Sequence, residues 1–401
     1  MVESIPLEAH HSAVVPWEQS VRGGTVDDRR LNEVTVRLPP HVADLGLDTS
    51  AAVTSRVEAA VREISSLDQT HGEHLAALSA LLLRNESVAS SKIEHVEASI
   101  DDFALALHGL RANASATSMV ASTSALEHLI ASVAGGADLT LANIHRAHAA
   151  LMADDPYEKN YAGRFRDMQN WIGGSDYSPR GALFVPPPPE AVDEYMEDLV
   201  RFANRDDLSA LVQAAVVHAQ FESIHPYTDG HRRIGRALVN TVLRRRGVTS
   251  RVVVPLASAL VARREQYFDT LDAYRGGDAG PVVEGFTTAA AIAAQESRIT
   301  ADRISTMPKT WDTAAGRPRR GSIAAELLDA LPGHPVFSSE DAEVLTRGAT
   351  STVHAAISRL HEAGVIRPLT SRTRNQVWGT VTLLDELGDL GLRIGIRARA
   401  V

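Results

Sequence analysis

The spacing of apolar residues predicts a chain built mainly from helices. Between residues 50 and 112 apolar residues recur three, four and seven positions apart, as on one face of an α-helix, at Leu75, Leu78, Leu82 and Ala89. A break at Gly135-Gly136 precedes a short helical stretch at 139–155. Two helices with one apolar face each are then expected, the first carrying Leu208, Leu211, Val212, Ala215 and Ala219 and the second carrying Ile234, Ala237, Leu238, Thr241 and Val242. The short stretch HPYTDG at 225–230 is the predicted link between them.

Other parts of the chain lack this helical spacing. Residues 1–50 have few periodic apolar positions and are interpreted as an extended leader laid over the body. Residues 161–189 are rich in Gly, Pro, Asn and aromatic residues, which favours a hairpin-like excursion. Residues 301–321 look like a linker.

The C-terminal region has the pattern of a winged helix-turn-helix. Helices are predicted at 322–332, from 338 and at 349–366, the last with Val353, Ile357 and Leu360 inward and closed by Gly364. A hairpin follows. By analogy with DNA-binding proteins of this type, the third helix would offer Thr350, Ser351, Thr352 and His354, and the hairpin would expose Arg367, Arg372 and Arg374. A protein-docking or dimerisation role for the same fold remains open, because residues 301–401 carry a net charge of only +2.

Composition narrows the class of protein. The 401 residues are 44% hydrophobic and carry a net charge of −10, which argues against general coating of nucleic acid. The chain has no cysteine, so disulfides, thiolate catalysis and cysteine zinc sites are excluded. Neither a signal peptide nor a stretch of about 18 apolar residues is visible. We therefore expect a cytoplasmic protein that does not bind a membrane.

Positive charge is concentrated after one aspartate. Between Gly230 and Arg264 there are nine arginines and no acidic residue. Arg232, Arg233 and Arg236 would lie in the first two turns of a helix starting near Gly230, where unpaired amides and guanidinium groups suit phosphate. Asp229 would suit Mg²⁺, which takes one or two carboxylates together with phosphate oxygens. His225, upstream of the turn, is placed to accept a proton from a hydroxyl that attacks a phosphate.

The stretch HPYTDGHRRIGR at 225–236 resembles the signature loop of Fic-domain proteins, HPFxDGNGRxxR. NWIGG…ALFVPPPPE at 170–190 is similar to the family's flap, and SSKIEH at 90–95 resembles its inhibitory motif, [S/T]xxxE[G/N]. The resemblance implies a mainly α Fic helical bundle with a β-hairpin flap and a C-terminal winged helix. It divides the chain into an N-terminal helical region with the inhibitory motif (1–120), a Fic core (121–305), a linker (306–321) and the winged-helix domain (322–401).

The resemblance also implies an activity, the transfer of AMP from ATP to a hydroxyl side chain of a target protein. His225 would be the general base, Asp229 would hold Mg²⁺, and the ATP phosphates would contact Gly230, His231, Arg232, Arg233 and Arg236. Glu94, with Ser90 on the same helical face, would pair with Arg236 in an inhibited state. The target would dock along the 170–186 flap as an added strand. Possible further partners are DNA and a second copy of the chain.

Two positions depart from the signature. His231 stands where the family has Asn, and Arg232 stands where it has the second Gly. Doc-type toxins carry Lys at the position of Arg232 and transfer the γ-phosphate instead. Two alternatives to AMP transfer therefore remain, namely phosphoryl transfer from ATP and a catalytically degenerate Fic scaffold acting as a DNA-binding regulator.

Overall fold

The computed structural model describes residues 2–20, 22–69, 75–93, 98–109, 113–155, 157–370 and 376–401. The chain forms two compact units, each built from segments that are distant in sequence. Unit 1 comprises Met1–Ala59, Ser124–Val248 and Arg264–Thr287, and unit 2 comprises Ala60–Thr123, Thr249–Arg263 and Thr288–Val401. The units do not follow the predicted domain boundaries, because the C-terminal residues group with residues 60–123.

Helices dominate both units, as the apolar spacing predicts. In the described ranges the helices are α1 (Val26–Arg30), α2 (Ala51–Gln69), α3 (Leu75–Ile93), α4 (Ile100–Leu107), α5 (Ala114–Ser132), α6 (Leu141–Met152), α7 (Val192–Ala203), α8 (Ala210–Ile224), α9 (His231–Arg245), α10 (Ala257–Ala262), α11 (Arg264–Arg275), α12 (Gly280–Ala314), α13 (Ile323–Ala330), α14 (Ser339–Thr346), α15 (Thr350–Glu362) and α16 (Val381–Arg399). The strands are β1 (His11–Pro16), β2 (Glu33–Leu38), β3 (Val336–Ser338), β4 (Ile366–Pro368) and β5 (Val377–Thr380). None of these helices is long and apolar enough to cross a bilayer.

The core of unit 1 is built around α8 and α9. Every residue of α8 from Leu211 to Ile224 is buried, in agreement with a sequence that is apolar on nearly all sides. After its basic first turns, α9 is buried from Ile234 to Leu243. Because only residues 225–230 join the two helices, the loop and the first turn of α9 lie at the same end of the pair.

The first 50 residues contain more regular structure than the predicted extended leader. β1 and β2 pair antiparallel, with His11 opposite Leu38 and Pro16 opposite Glu33. Val34 and Val36 of β2 are buried in a cluster with Val185. Their two-residue spacing in EVTVRL is the period of a strand with one buried face, a signal too short to stand out beside the helical patterns.

The linker predicted at 306–321 is wrong over its first half. α12 continues to Ala314 and contains Pro308, although proline in a helix interior costs about 3 kcal/mol. Packing offsets this cost, because Ile304 and Trp311 are buried on the same face, seven residues apart. The indole of Trp311 also donates to Thr382 Oγ1 over 2.9 Å.

The three predicted C-terminal helices occur as α13, α14 and α15, followed by β4 and β5 of the predicted hairpin. A further strand, β3, which was not predicted, precedes α14, and the strands form one sheet in the order β3-β5-β4. A capping box between Ser338 and Asp341 starts α14. Gly364, with φ of 70°, lies just beyond the end of α15, as expected. The winged-helix interpretation of this region stays a prediction.

The predicted DNA-facing residues have different environments. Thr350, Ser351, Thr352 and His354 of α15 are exposed. Arg367, expected to be available for DNA phosphate, instead pairs with both carboxylate oxygens of Asp101, at 2.8 and 2.5 Å. Arg372 and Arg374 lie outside the described residues. DNA binding by this region also stays a prediction.

Candidate functional site

The link between α8 and α9 adopts two left-handed backbone conformations. His225 ends α8 with φ of 52° and ψ of 60°, and its amide donates to Phe221 O over 3.0 Å. Gly230 precedes α9 with φ of 69°. These two turns reverse the chain within six residues, and they bring His225 to the start of α9. A histidine at positive φ is uncommon, and such conformations cluster at functional sites.

Arg166 holds this loop in place through backbone carbonyls. Its Nε donates to His225 O over 2.9 Å, and its two terminal nitrogens donate to Met168 O (3.1 Å) and Pro187 O (2.5 Å). Its own amide donates to Pro226 O over 3.0 Å. Burial lowers the pKa of Arg166 to about 10, so the side chain stays charged at neutral pH. No pattern in the sequence indicated this role, because the partners are carbonyls that any residue supplies.

His148 holds the other end of the loop. Gly163 N donates to His148 Nδ1 over 3.0 Å, so Nε2 carries the hydrogen and donates to Asp229 O, also over 3.0 Å. The imidazole stacks on Tyr227 with 3.7 Å between ring centroids. Burial lowers the pKa of His148 to about 4, which keeps the ring neutral in this tautomer.

His225 lies in a buried pocket between Asn170 and His231. Asn170 Nδ2 is 2.8 Å from His225 Nδ1 and 3.1 Å from Tyr227 O. On the other side, the centroid of the His231 ring is 3.4 Å from that of His225. The pKa of His225 is well below its usual range, first because of burial and then because of the charges of His231, Arg232 and Arg166. A neutral imidazole is the form that can accept a proton.

A buried polar cluster lies behind His231. Glu222 Oε2 is 3.4 Å from His231 Nε2, and both side chains are buried. Burial raises the pKa of Glu222, but His231 and His218 more than offset this and hold the pKa below its usual range. Gly235 makes the close packing possible, since a Cβ there would lie 2.7 Å from Glu222 Oε1. His231, one of the two departures from the signature, therefore lies next to a buried carboxylate, that of Glu222.

The arginines of the basic stretch fall into separate groups. Arg233 and Arg236 are buried in the first two turns of α9. The guanidinium of Arg232 lies 5.8 Å from the centroid of the Phe268 ring. At the far end of α9, Arg245 pairs with Asp206 at 2.7 Å and Asp138 at 3.1 Å. A basic stretch that looks continuous in the sequence thus divides between the first turns of α9, which hold Arg232, Arg233 and Arg236, and the far end of that helix.

Asp229 provides a carboxylate at the edge of the site. Its side chain is 52% exposed and lies 3.9 Å from the guanidinium of Arg233. Its Oδ1 accepts from the amide of Gly230 over 2.5 Å. No group of three or more potential metal-ligating His, Asp or Glu side chains occurs among the described residues. One half-exposed carboxylate next to the first turn of α9 has the chemistry of a Mg²⁺ ligand, because Mg²⁺ takes its other ligands from phosphate and water.

The predicted hairpin flap contains one antiparallel bridge, between Ile172 and Phe184. Ile172 N donates to Phe184 O and Leu183 N donates to Ile172 O, both over 2.8 Å. The flap is attached to β2 at its base, where Arg37 N donates to Val185 O over 2.8 Å. Farther out, Ser178 Oγ donates to Asp28 over 2.6 Å.

The predicted inhibitory motif lies at the end of α3 and just beyond it. Ser90 is buried on α3, within unit 2. Glu94 lies outside the described residues. Inhibition of Arg236 by Glu94 stays a prediction.

Substituting Gly230 with alanine should destabilise unit 1. A Cβ there would lie 2.8 Å from Leu151 Cδ2 and 2.9 Å from Met152 Sδ, in addition to the strain of a positive φ. Gly247 is a matched control, with φ of 67° and nothing within 4 Å of its Cβ position. We expect Gly247→Ala to cost about 1–2 kcal/mol of unfolding free energy through backbone strain alone. Gly230→Ala should cost about 1–3 kcal/mol more, through overpacking. Equal costs in denaturant titrations would show that the contacts at Gly230 do not matter.

Comparison with known proteins identifies the segment that contains this site. Residues 138–243 match the sequence model of the Fic/DOC family. Protein adenylyltransferase fic-1 of Caenorhabditis elegans is 29% identical over 150 residues, which are 36% of this chain and 26% of that protein. Protein adenylyltransferase Fic of Drosophila erecta is 30% identical over 163 residues, which are 40% of this chain and 29% of that protein. The chain therefore spans less than a third of the length of these relatives.

Solved structures extend the likeness of fold beyond that segment. A Fic family protein from Desulfovibrio desulfuricans G20 superposes with a TM-score of 0.52 at 20% identity, over 83% of this chain and 97% of that one. A Fic domain containing signaling protein from Bacteroides thetaiotaomicron VPI-5482 superposes with a TM-score of 0.51 at 21% identity, over 62% of this chain and 97% of that one. The chain thus has a mainly helical Fic fold, and its residues 138–243 match the sequence model of the Fic/DOC family.

Proposed function

We propose that this chain is a protein adenylyltransferase, which transfers AMP from ATP to a hydroxyl side chain of a target protein. The observation that carries the proposal is the position of His225, a buried and neutral imidazole beside the start of α9 with its buried Arg233 and Arg236. The Fic domain that contains these residues is similar to proteins named protein adenylyltransferases, which supports this activity.

In the proposed reaction, the hydroxyl oxygen of the target attacks the α-phosphorus of ATP while His225 accepts the hydroxyl proton. A bond forms between that oxygen and the α-phosphorus, and the bond from the α-phosphorus to the bridging oxygen breaks. Pyrophosphate leaves with the electron pair. The amides in the first turn of α9, with Arg233 and Arg236, would stabilise the negative charge on the phosphates.

The cofactor would be Mg²⁺, held by Asp229 together with phosphate oxygens of ATP. When bound, it would neutralise charge on the leaving pyrophosphate. Asp229 is suited to this role because its carboxylate is about half exposed at the edge of the site. The residues of this chain then do the remaining work of orienting the phosphates and removing the proton.

The position of Arg232 favours AMP transfer over the Doc-type alternative. Its guanidinium lies beside the Phe268 ring on α11, where Arg264 also contacts the same ring at 5.0 Å. Such a cation–aromatic contact stabilises the side chain by about 0.5–1 kcal/mol at an exposed site. Arg232 can therefore be accommodated outside the phosphate site.

The target would dock along the flap as an added strand, giving main-chain hydrogen bonds with little demand on target sequence. The bridge at Ile172 and Phe184 leaves most of the flap's backbone outside regular pairing. Leu183, which is 85% exposed, offers an apolar contact beside it. This arrangement supports recognition of an extended segment that carries the hydroxyl near His225.

Two labelled forms of ATP test the proposed function. The Glu94→Gly chain, which removes the predicted inhibition, is incubated with Mg²⁺, cell lysate and ATP labelled at the α- or the γ-phosphate. The proposal predicts label on protein from α-labelled ATP alone. Label from γ-labelled ATP alone would establish phosphoryl transfer instead. No label from either form would favour the degenerate scaffold.

On the acid side of neutrality, the rate of AMP transfer should fall only at pH values below the usual pKa of histidine, about 6.5. The pKa of His225 is lowered, so its base form persists at pH values where an ordinary histidine is protonated. We expect kcat to stay constant as the pH falls through about 6.5 and to decline only at lower pH. A pH profile with an acid limb at or above about 6.5 would contradict the buried, neutral state of His225.

A further inference from the structure

We propose that Asn170 is a positioning residue that sets the ring tautomer of His225 and thereby couples the flap to the proposed base. Asn170 lies at the start of the flap, and its amide contacts His225 directly. The inference rests on the proposed function only for its catalytic consequence. The tautomer itself can be measured without any reaction.

The hydrogen bonds of Asn170 define the tautomer. Its Nδ2 can donate two hydrogen bonds, and it has two acceptors, His225 Nδ1 at 2.8 Å and Tyr227 O at 3.1 Å. An imidazole nitrogen that accepts a hydrogen bond carries no hydrogen. His225 Nδ1 is therefore unprotonated, and the hydrogen of the neutral ring is on Nε2.

This tautomer is not the one that the reaction uses. Asn170 occupies Nδ1, so Nε2 is the nitrogen left to accept a proton from the target hydroxyl. For Nε2 to do so, the ring hydrogen has to be on Nδ1, and the amide has to turn so that Oδ1 faces the ring. In the resting arrangement Oδ1 is buried and has no hydrogen-bond partner among the described residues. An unused buried acceptor next to the base is the feature that such a turn would employ.

The resting orientation is held by the carbonyl of Tyr227. Turning the amide would place Oδ1 near Tyr227 O, where two acceptors repel each other, so the resting state favours Nδ2 facing inward. Protonated His225 has the opposite preference, because both of its nitrogens donate and Nδ1 then needs Oδ1. Asn170 therefore opposes protonation of His225 at rest and can accept from it after the amide has turned.

The other charged groups around His225 affect its protonation but do not determine which ring nitrogen carries the hydrogen. His231 and Arg232 face the ring from α9, Glu222 faces it from α8, and Arg166 faces it from the segment before the flap. Three of these groups disfavour protonation and Glu222 favours it. Of the groups named here, Asn170 alone makes a hydrogen bond to a ring nitrogen of His225, so it is the one that distinguishes the two tautomers.

The experiment is nitrogen NMR of the full chain labelled with ¹⁵N-histidine, with His225 assigned from the spectrum of a His225→Asn variant. In the wild type at neutral pH, Nδ1 should have the shift of an unprotonated nitrogen and Nε2 that of a protonated one. In Asn170→Asp the carboxylate can only accept, so the hydrogen should move to Nδ1 and the pKa of His225 should rise. A hydrogen on Nδ1 in the wild type, or an unchanged tautomer in Asn170→Asp, would overturn the proposal.

A neighbouring residue gives the matched control. Gln169 bonds through Nε2 to Asn170 O and Pro186 O, both at 3.0 Å, without touching His225. Gln169→Ala perturbs the same segment, and it should leave the tautomer unchanged. If Asn170→Asp fails to fold, Asn170→Ala serves in its place, since loss of the donor should raise the pKa of His225 and give a mixture of tautomers. A pKa of His225 that stays the same in Asn170→Ala would contradict the role of Asn170.

The proposed function and the role of Asn170 can fail independently, and the experiments distinguish the two failures. If no variant transfers AMP but the tautomer changes as described, the proposed function fails and the role of Asn170 stands. If AMP transfer occurs but the tautomer of His225 is the same in Asn170→Asp as in the wild type, the proposed function stands and the role of Asn170 fails. Where both hold, the acid limb of the kcat profile should move to higher pH in Asn170→Asp and stay in place in Gln169→Ala.

Discussion

Replacing His225 with asparagine should lower the rate of AMP transfer by about 10²–10⁴-fold, the usual contribution of a general base. Asparagine is the suitable replacement because it tolerates positive φ, and the backbone of residue 225 has φ of 52°. The loss should therefore appear in kcat with little change in the melting temperature. Transfer of α-label under saturating ATP measures it.

His128 provides the matched control for this substitution. It is an exposed histidine of unit 1, and its Nδ1 is 2.6 Å from Ser124 O. His128→Ala should transfer AMP at the wild-type rate. If His225→Asn retained the wild-type rate as well, the site would not use residue 225 as a base.

Replacing Arg166 with leucine should destabilise unit 1 and inactivate the site together. The substitution removes the charged donor from the buried carbonyls of His225 and Pro187 and from the partly buried carbonyl of Met168. Each buried acceptor left unsatisfied costs about 1–3 kcal/mol, so the two buried carbonyls predict a loss of unfolding free energy of about 2 kcal/mol or more. A shift of His225 by about 1 Å would also reduce the rate by about 10²-fold. Denaturant titration and the transfer assay measure the two effects.

Arg164, two residues before Arg166, provides the matched control for this substitution. It is exposed, and its guanidinium lies 4.9 Å from the centroid of the Tyr161 ring. Arg164→Leu should change the unfolding free energy by less than about 0.5 kcal/mol, as is usual for surface positions. A comparable loss of stability in both variants would mean that the carbonyl contacts of Arg166 are not what stabilises the loop.

The local part of the site could be predicted from sequence because its residues are neighbours in the chain. The loop His225–Gly230 and the first turn of α9 are fixed by a helix end, a glycine and a helix start, each of which has a sequence signal. The structure places His225, Asp229, Gly230, His231, Arg233 and Arg236 together at this end of the α8–α9 pair. Their roles in transfer remain the proposal to be tested.

The residues that position the loop could not be predicted in the same way. Arg166, His148 and Asn170 reach it from segments 55 to 81 residues away, and most of their contacts are to backbone carbonyls. A carbonyl leaves no trace in the sequence, so such partners become visible only in three dimensions. The pairing of Glu222 with His231 likewise becomes visible only in the structure, where both side chains are buried.

Helices with a strong apolar period could be predicted from the sequence, whereas elements with a weak or short apolar pattern could not. The predicted apolar residues of α9, Ile234, Ala237, Leu238, Thr241 and Val242, are all buried, although the helix is buried on its other sides as well. Residues 306–314 were predicted as part of a linker, but α12 continues through Pro308 to Ala314, with Ile304 and Trp311 buried on one face. In β2 the alternation covers six residues, too few to distinguish a strand from an extended segment before its packing against Val185 is known.

The mass of the group added to protein tests the central claim most directly. The Glu94→Gly chain and the same chain with His225→Asn are incubated with ATP and Mg²⁺ in the presence of lysate, and modified peptides are identified by mass spectrometry. The account predicts peptides that gain the mass of one AMP on Ser, Thr or Tyr, present with His225 and lost without it. A gain of one phosphate that depends on His225, or AMP-modified peptides that persist in the His225→Asn chain, would contradict it.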